Sequence, residues 1–130
     1  MSFPRSSGIL LHPTSFPSRF GIGDLGPEAY RFINFMAATG QRYWQILPLG
    51  PTGYGDSPYQ CFSANAGNPL LISPERLRDI GLLSDDDLNA MPELPLQVDY
   101  GWVIHVKMPL LRKACENFQS RPDPKLQQAF

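Results

Sequence analysis

Residues 8–48 read GILLHPTSFPSRFGIGDLGPEAYRFINFMAATGQRYWQILP, and this stretch decides the fold. Its opening run, Gly8 to His12, is a short apolar segment closed by Pro13, the pattern of a buried strand. A loop rich in Pro, Ser and Gly follows. Gly26 and Pro27 then stand where the N-cap and first position of a helix belong, and Glu28 puts a carboxylate where the helix dipole favours an anion. Ala29, Phe32, Ile33, Met36 and Ala37 recur at the spacing of a helix with one buried face, and Gly40 supplies the stop. Tyr43 to Leu47, aromatic and β-branched and ended by Pro48, reads as a second strand. Strand, helix and strand predict an α/β protein with two parallel strands joined by a crossover helix. Parallel sheets are covered on both faces, which one helix cannot do, so the rest of the cover must come from elsewhere.

Outward from this unit, residues 49–69 (LGPTGYGDSPYQCFSANAGNP) form a long loop that reaches a third short apolar run, Pro69 to Ile72. Ser73-Pro74 starts a short helix running to Ile80 and stopped by Gly81. Ser84, followed by Asp85, Asp86 and Asp87, reads as an N-cap with a charged first turn. From Val103 the stripe Val103, Val106, Leu110, Leu111, Ala114 and Phe118 predicts a longer helix, which Pro109 should kink or begin. The last residues, 120–130, are polar and carry no periodic signal, and the chain shows no internal repeat.

Composition narrows the function classes. The 130 residues carry a net charge of −1 with no cationic block, so neither nucleic acid nor an anionic membrane is an expected partner. No run approaches the ~18 consecutive apolar residues of a membrane span. The apolar run near the start, Ile9 to Leu11, is too short for a signal peptide, so the chain reads as cytoplasmic, or organellar with its transit peptide already removed. The 14 prolines are dispersed through loop contexts, which suits long, stiffened surface loops rather than a polyproline ligand. Cys61 and Cys115 follow no metal or redox spacing, and no cofactor or metal is expected.

Three segments carry a family resemblance: HPTSFPSRFGIGDLG (residues 12–26), RYWQILPLGPTGYGDSPYQCFSANAGNP (42–69) and VDYGWVIHVK (98–107). Together they resemble the N-terminal quarter of the 4-α-glucanotransferases of the amylomaltase (disproportionating enzyme) family, over about Ser7 to Phe118. The resemblance implies the N-terminal part of a (β/α)8 barrel, incomplete in this chain. Residues 7–72 would hold the first strands, helix and substrate loop, and residues 73–130 a mostly helical insertion. It implies transfer of α-1,4-glucan segments between maltooligosaccharides, amylose, glycogen or starch chains by a retaining double displacement. Such a reaction needs two carboxyl groups about 5 Å apart across the scissile bond. In the family these lie downstream, on later strands, so the chain by itself is expected to be inactive. A (β/α)8 barrel takes about 250 residues, which agrees.

Barrel enzymes build their sites in the loops leaving the C-terminal ends of strands, which puts residues 50–69 on the active-site face. Aromatic rings there suit the C–H faces of a sugar, and polar tips suit its hydroxyls. Tyr59 is the first candidate for a substrate contact near the cleavage site, a position the family pattern supports. Ser57 beside it is a candidate partner for a glucose hydroxyl, and Tyr54 a more peripheral stacking platform. For each, the alternative is a residue that only packs its own loop. No catalytic carboxylate is assigned. Asp56 reads as a turn-shaping residue and Asp24 as a carboxylate near a helix N-terminus. His12 is a candidate for the site floor or a partner of loop backbone, Trp44 a packing residue, and His105 structural or solvent-facing. The alternatives from other classes are a non-catalytic carbohydrate-binding module, for which an antiparallel sandwich is expected, and a fragment of another α-amylase-like barrel glycosidase.

Overall fold

A computed structural model describes residues 4–53, 55–57, 59–63, 65–92 and 97–121. The element order is β1 (Gly8–Leu10), α1 (Pro27–Ala38), β2 (Tyr43–Gln45), α2 (Pro74–Asp79), α3 (Asp85–Asn89) and α4 (Tyr100–Ser120), with 3-10 turns at Pro13–Ser15 and Pro69–Leu71. β1 and β2 pair in parallel with Gly8 opposite Tyr43, Ile9 opposite Trp44 and Leu10 opposite Gln45. The βαβ reading therefore holds. Both strands are shorter than their apolar runs, although Leu11 still donates its N–H to the Gln45 carbonyl at 3.0 Å. In the third apolar run, Pro69–Leu71 forms a 3-10 turn, capped by Asn68, whose side chain accepts from the Leu70 N–H. Proline at the first position suits a helical turn and cannot donate to a ladder.

Local signals place the helix ends. α1 starts with Gly26 as N-cap and Pro27 at its first turn. It closes as a Schellman motif, with Gly40 at φ 71° and its N–H donating to Ala37 while Gln41 N–H donates to Met36. α3 has a capping box in which Ser84 and Asp87 each bond the other's backbone N–H. α4 differs from expectation at its start. Asp99 caps it, accepting from the Trp102 N–H at 3.0 Å, so the helix begins at Tyr100 and contains Pro109 rather than starting there. Pro109 and His105 are both exposed, so the carbonyl that loses its partner to the proline is accessible to water.

Packing follows two seams. Phe16, Phe32 and Trp44 form an aromatic cluster joining the loop after β1, α1 and β2, with centroid separations of 5.3 to 5.7 Å. The Trp44 indole N–H donates to the Leu11 carbonyl at 2.7 Å, so its polar handle is satisfied within that packing. The second seam lies along α4. Leu110 and Ala114 pack with Phe20, Leu83 and Leu88, while Val103 packs with Ile22 and Leu70. Leu10, Tyr43, Ile33 and Phe35 remain exposed, so β1, β2 and α1 carry uncovered apolar surface.

Between the two α4 clusters lies Lys107, fully buried at 0% exposure. Its Nζ donates to Asp24 Oδ2 at 3.1 Å and to the Leu70 carbonyl at 2.7 Å, and Asp24 is itself only 6% exposed. Burial pushes the Asp24 carboxyl up and the Lys107 ammonium down, and in each case the partner's charge opposes the shift. The Gly26 backbone and the Ser73 hydroxyl also favour the Asp24 charge. Gly26 is required by this crowding, since a Cβ there would lie 2.4 Å from Ser73 Oγ and 2.6 Å from Asp24 Oδ1.

Removing one member of this pair strands the other charge in the interior. Asp24→Asn and Lys107→Met are each expected to lower stability by about 3–5 kcal/mol, and the double variant by clearly less than the sum. Urea unfolding of the three variants checks this; strictly additive losses would mean that the two residues do not act as a pair. A second expectation concerns α3. Hydrogen bonding by Lys113, then by the Ser84 backbone and hydroxyl, holds the Asp87 carboxyl at about 2, below its ordinary 3.8. A carboxyl lowered by folding contributes stability above its unfolded value that is lost as pH falls through 3.8 toward 2. Asp87→Asn should therefore melt lower than wild type at neutral pH, with the gap closing over that acid window in a pH series of melting temperatures.

Candidate functional site

The C-terminal ends of β1 and β2 open into two loops. The first is capped by His12, the N-cap of the turn Pro13–Ser15. Its Nδ1 lies 2.7 Å from Thr14 Oγ1, and its Nε2 lies 3.4 Å from the Pro48 carbonyl at the exit of β2. Of the two readings for His12, the backbone partner is what the structure supplies.

The second loop leaves β2 through Pro48 and doubles back on itself. Leu49 accepts from the Asn68 N–H at 3.1 Å, closing the base. Thr52 and Cys61 form an antiparallel bridge, flanked by Gly53 N–H to Gln60 carbonyl at 3.0 Å and Phe62 N–H to Pro51 carbonyl at 3.3 Å. The chain reverses beyond this bridge, where Asp56 takes a left-handed conformation at φ 55° and donates its N–H to Gly53. Aspartate tolerates this region better than most residues, which supports the turn-shaping role assigned to it. Ser57 Oγ accepts from the Tyr59 N–H at 3.4 Å and its carbonyl accepts from Gln60 at 2.9 Å. Ser57 and Tyr59 are thus brought together at the loop tip, with Ser57 half-buried and Tyr59 76% exposed. Tyr54 lies outside the described residues.

Two features of this region escaped the sequence reading. Phe62 is 79% exposed on the same loop, and the signal was available, because it is an aromatic within the same Gly- and Pro-rich run. Burial pushes the phenol of Tyr100, at the start of α4, up, with the Asp56 charge adding to the effect and a hydrogen bond with Thr14 opposing it. Nothing local marks those surroundings, which depend on where α4 docks.

The remaining polar candidates settle elsewhere. Asp24 is committed to Lys107 beneath the loops. Trp44 packs with Phe16 and Phe32. His105 is exposed and stacks on Trp102 at 5.5 Å. Asp85 and Asp87 pair with Arg78 and Lys113, and among the described residues no group of three or more His, Cys, Asp or Glu is placed to hold a metal ion. Cys61 donates to the Gly50 carbonyl at 3.6 Å and forms no disulfide with Cys115. Among the described residues no helix is long and apolar enough to cross a membrane.

Comparison with known proteins gives this geometry its context. The family model described as 4-alpha-glucanotransferase matches residues 11–130. The 4-alpha-glucanotransferase of Thermus thermophilus is 49% identical over 131 residues, covering 100% of this chain and 25% of that protein. That of Synechocystis is 51% identical over 127 residues, covering 97% of this chain and 25% of that protein. The chloroplastic/amyloplastic enzyme of Solanum tuberosum is 48% identical over 122 residues, or 89% of this chain and 21% of that one. The amylomaltase of Streptococcus agalactiae, solved in complex with acarbose, superposes with a TM-score of 0.84 at 44% identity, over 92% of this chain and 24% of that chain. The chain spans about a quarter of the length of the Thermus and Synechocystis relatives. With the family model matched along nearly its whole length, this chain belongs to the 4-alpha-glucanotransferase family.

Proposed function

We propose that this chain is the N-terminal part of a 4-α-glucanotransferase that moves α-1,4-glucan segments between maltooligosaccharides, amylose, glycogen or starch chains by a retaining double displacement. The observation that carries the reading is a parallel βαβ unit whose second strand releases an aromatic loop with Tyr59 open to solvent, in a chain of this family. An acarbose complex of the structural neighbour agrees with an oligosaccharide ligand. Parallel pairing argues against the antiparallel sandwich expected of a free-standing carbohydrate-binding module.

On this reading β1 and β2 are the first strands of a (β/α)8 barrel, and the barrel's remaining elements cover the apolar surface left by Leu10, Tyr43, Ile33 and Phe35. Residues 7–72 supply strands, helix and substrate loop; residues 73–130 are a mostly helical insertion docked through Lys107. The enzyme works in the cytoplasm, the plastid label of the potato relative marking the alternative compartment.

The catalytic carboxylates come from outside this chain. Asp24 is held in its ion pair and Asp56 in its turn, which leaves neither as an acid or nucleophile. This chain's own contribution is to bind and orient. The Tyr59 ring lies against the apolar face of a glucose unit next to the cleaved bond, with its hydroxyl reaching a sugar oxygen or a catalytic carboxylate. Ser57 accepts from the Tyr59 amide, and its own O–H donates to a glucose hydroxyl. Tyr54 serves long glucans as a peripheral platform.

Transfer kinetics on maltotriose and on amylose test these roles in the full-length enzyme. Tyr59→Phe should cost one hydrogen bond, about 0.5–1.5 kcal/mol, and Tyr59→Ala more, because stacking area is lost and water enters. Tyr54→Ala should weaken amylose binding and spare maltotriose. If Tyr59→Ala keeps wild-type rates on both substrates with an unchanged melting temperature, the ring merely packs its loop.

A further inference from the structure

The exits of β1 and β2 are spanned by one side chain whose hydrogen bonding admits a single neutral form. His12 Nδ1 faces the Thr14 backbone N–H at 3.4 Å as well as the Thr14 hydroxyl at 2.7 Å. A backbone N–H can only donate, so Nδ1 is the acceptor and carries no proton. The neutral ring then holds its proton on Nε2, which lies 3.4 Å from the Pro48 carbonyl, a group that can only accept. Both ends of the ring thus agree on the same tautomer.

The position of this contact gives it consequence. The strand ladder ends where Leu11 donates to Gln45. Pro48 has no backbone N–H, so at this point β2 offers only its carbonyl. One residue further, Leu49 accepts from Asn68 and closes the base of the loop that carries Ser57 and Tyr59. A shift of Pro48 is therefore passed to both ends of that loop. We propose that His12 is a positioning residue for glucan transfer: through its Nε2–H it straps the exit of β2 to the exit of β1 and sets the stance of the Gly50–Pro69 loop. This rests on the glucanotransferase reading above.

His12 also caps the turn Pro13–Ser15, so a test has to separate cap from strap. Asparagine places an acceptor near the position of Nδ1 and lacks the reach of Nε2; glutamine places an N–H near Nε2 and lacks the cap. In the full-length enzyme, His12→Asn and His12→Gln are compared with wild type by kcat and KM on maltotriose, melting temperature, and amide hydrogen exchange over residues 49–69. The expected result is that His12→Asn keeps its melting temperature, exchanges faster in this loop, and transfers roughly tenfold more slowly, since small misplacements are costly at a reacting centre. His12→Gln should restore loop protection and come within about threefold of wild-type transfer, even if its melting temperature falls. Wild-type exchange and transfer in His12→Asn, or loss of both in His12→Gln in step with its melting temperature, overturns the proposal. Should the wild-type enzyme itself show no transfer from maltotriose, the glucanotransferase reading fails, whereas the exchange difference between the two variants still decides whether His12 is the strap.

Discussion

A single buried ion pair organises the described chain. Asp24 follows β1 and lies just ahead of α1, while Lys107 sits more than 80 residues later on α4, at a separation of 83. Burying either charge alone is costly, and each lowers the cost of the other only if the geometry is met. That geometry involves five places at once: the loop holding Asp24, the N-cap Gly26, the Leu70 carbonyl in the 3-10 turn, the N-cap Ser73 of α2, and α4 itself. Hydrophobic contacts on either side of Lys107 are non-directional and tolerate sliding. The ion pair does not, so it sets the register of α4 against the rest.

Docking α4 in that register has a consequence at the other end of the helix. Tyr100 lies two turns before Lys107 and packs against the cluster of Ile22, Leu70 and Val103, where burial, with the Asp56 charge adding, pushes its phenol up. The loop after β2 is held at its root by the His12–Pro48 contact and the Leu49–Asn68 bond. Its own backbone bridges, Thr52 with Cys61 and Gly53 with Gln60, let a segment with no long secondary structure hold a shape. A loop supported this way presents exposed rings without collapsing onto them.

Much of the framework was legible because its signals are local. The N-cap and first turn at Gly26-Pro27, the stops at Gly40 and Gly81, and the Ser84 cap each concern residues within four positions of one another. Two local signals left the element open. Pro69 to Ile72 reads only as a short apolar run, and it takes the turn that Asn68 caps. Pro109 reads as either a kink or a helix start, and it lies inside α4 because Asp99 had already supplied a cap upstream. In the candidate site, the loop with its exposed Tyr59 and half-buried Ser57 was readable from composition and resemblance, whereas the surroundings of Tyr100 were not.

The sequence by itself determined the βαβ unit, the ends of α1, the caps of α2 and α3, the aromatic loop after the second strand and the family. Those features depend on hydrophobic period, capping chemistry and a long distinctive motif, all written in neighbouring residues. Tertiary structure alone decided that Lys107 is buried in the stripe between Val103 and Leu110, that Asp24 is its partner, and that His12 reaches Pro48. A lysine on an apolar stripe reads as a solvated interruption unless its counter-charge is known. The partners here lie 83 and 36 residues apart, and no propensity or spacing encodes contacts at such separations before the chain has packed.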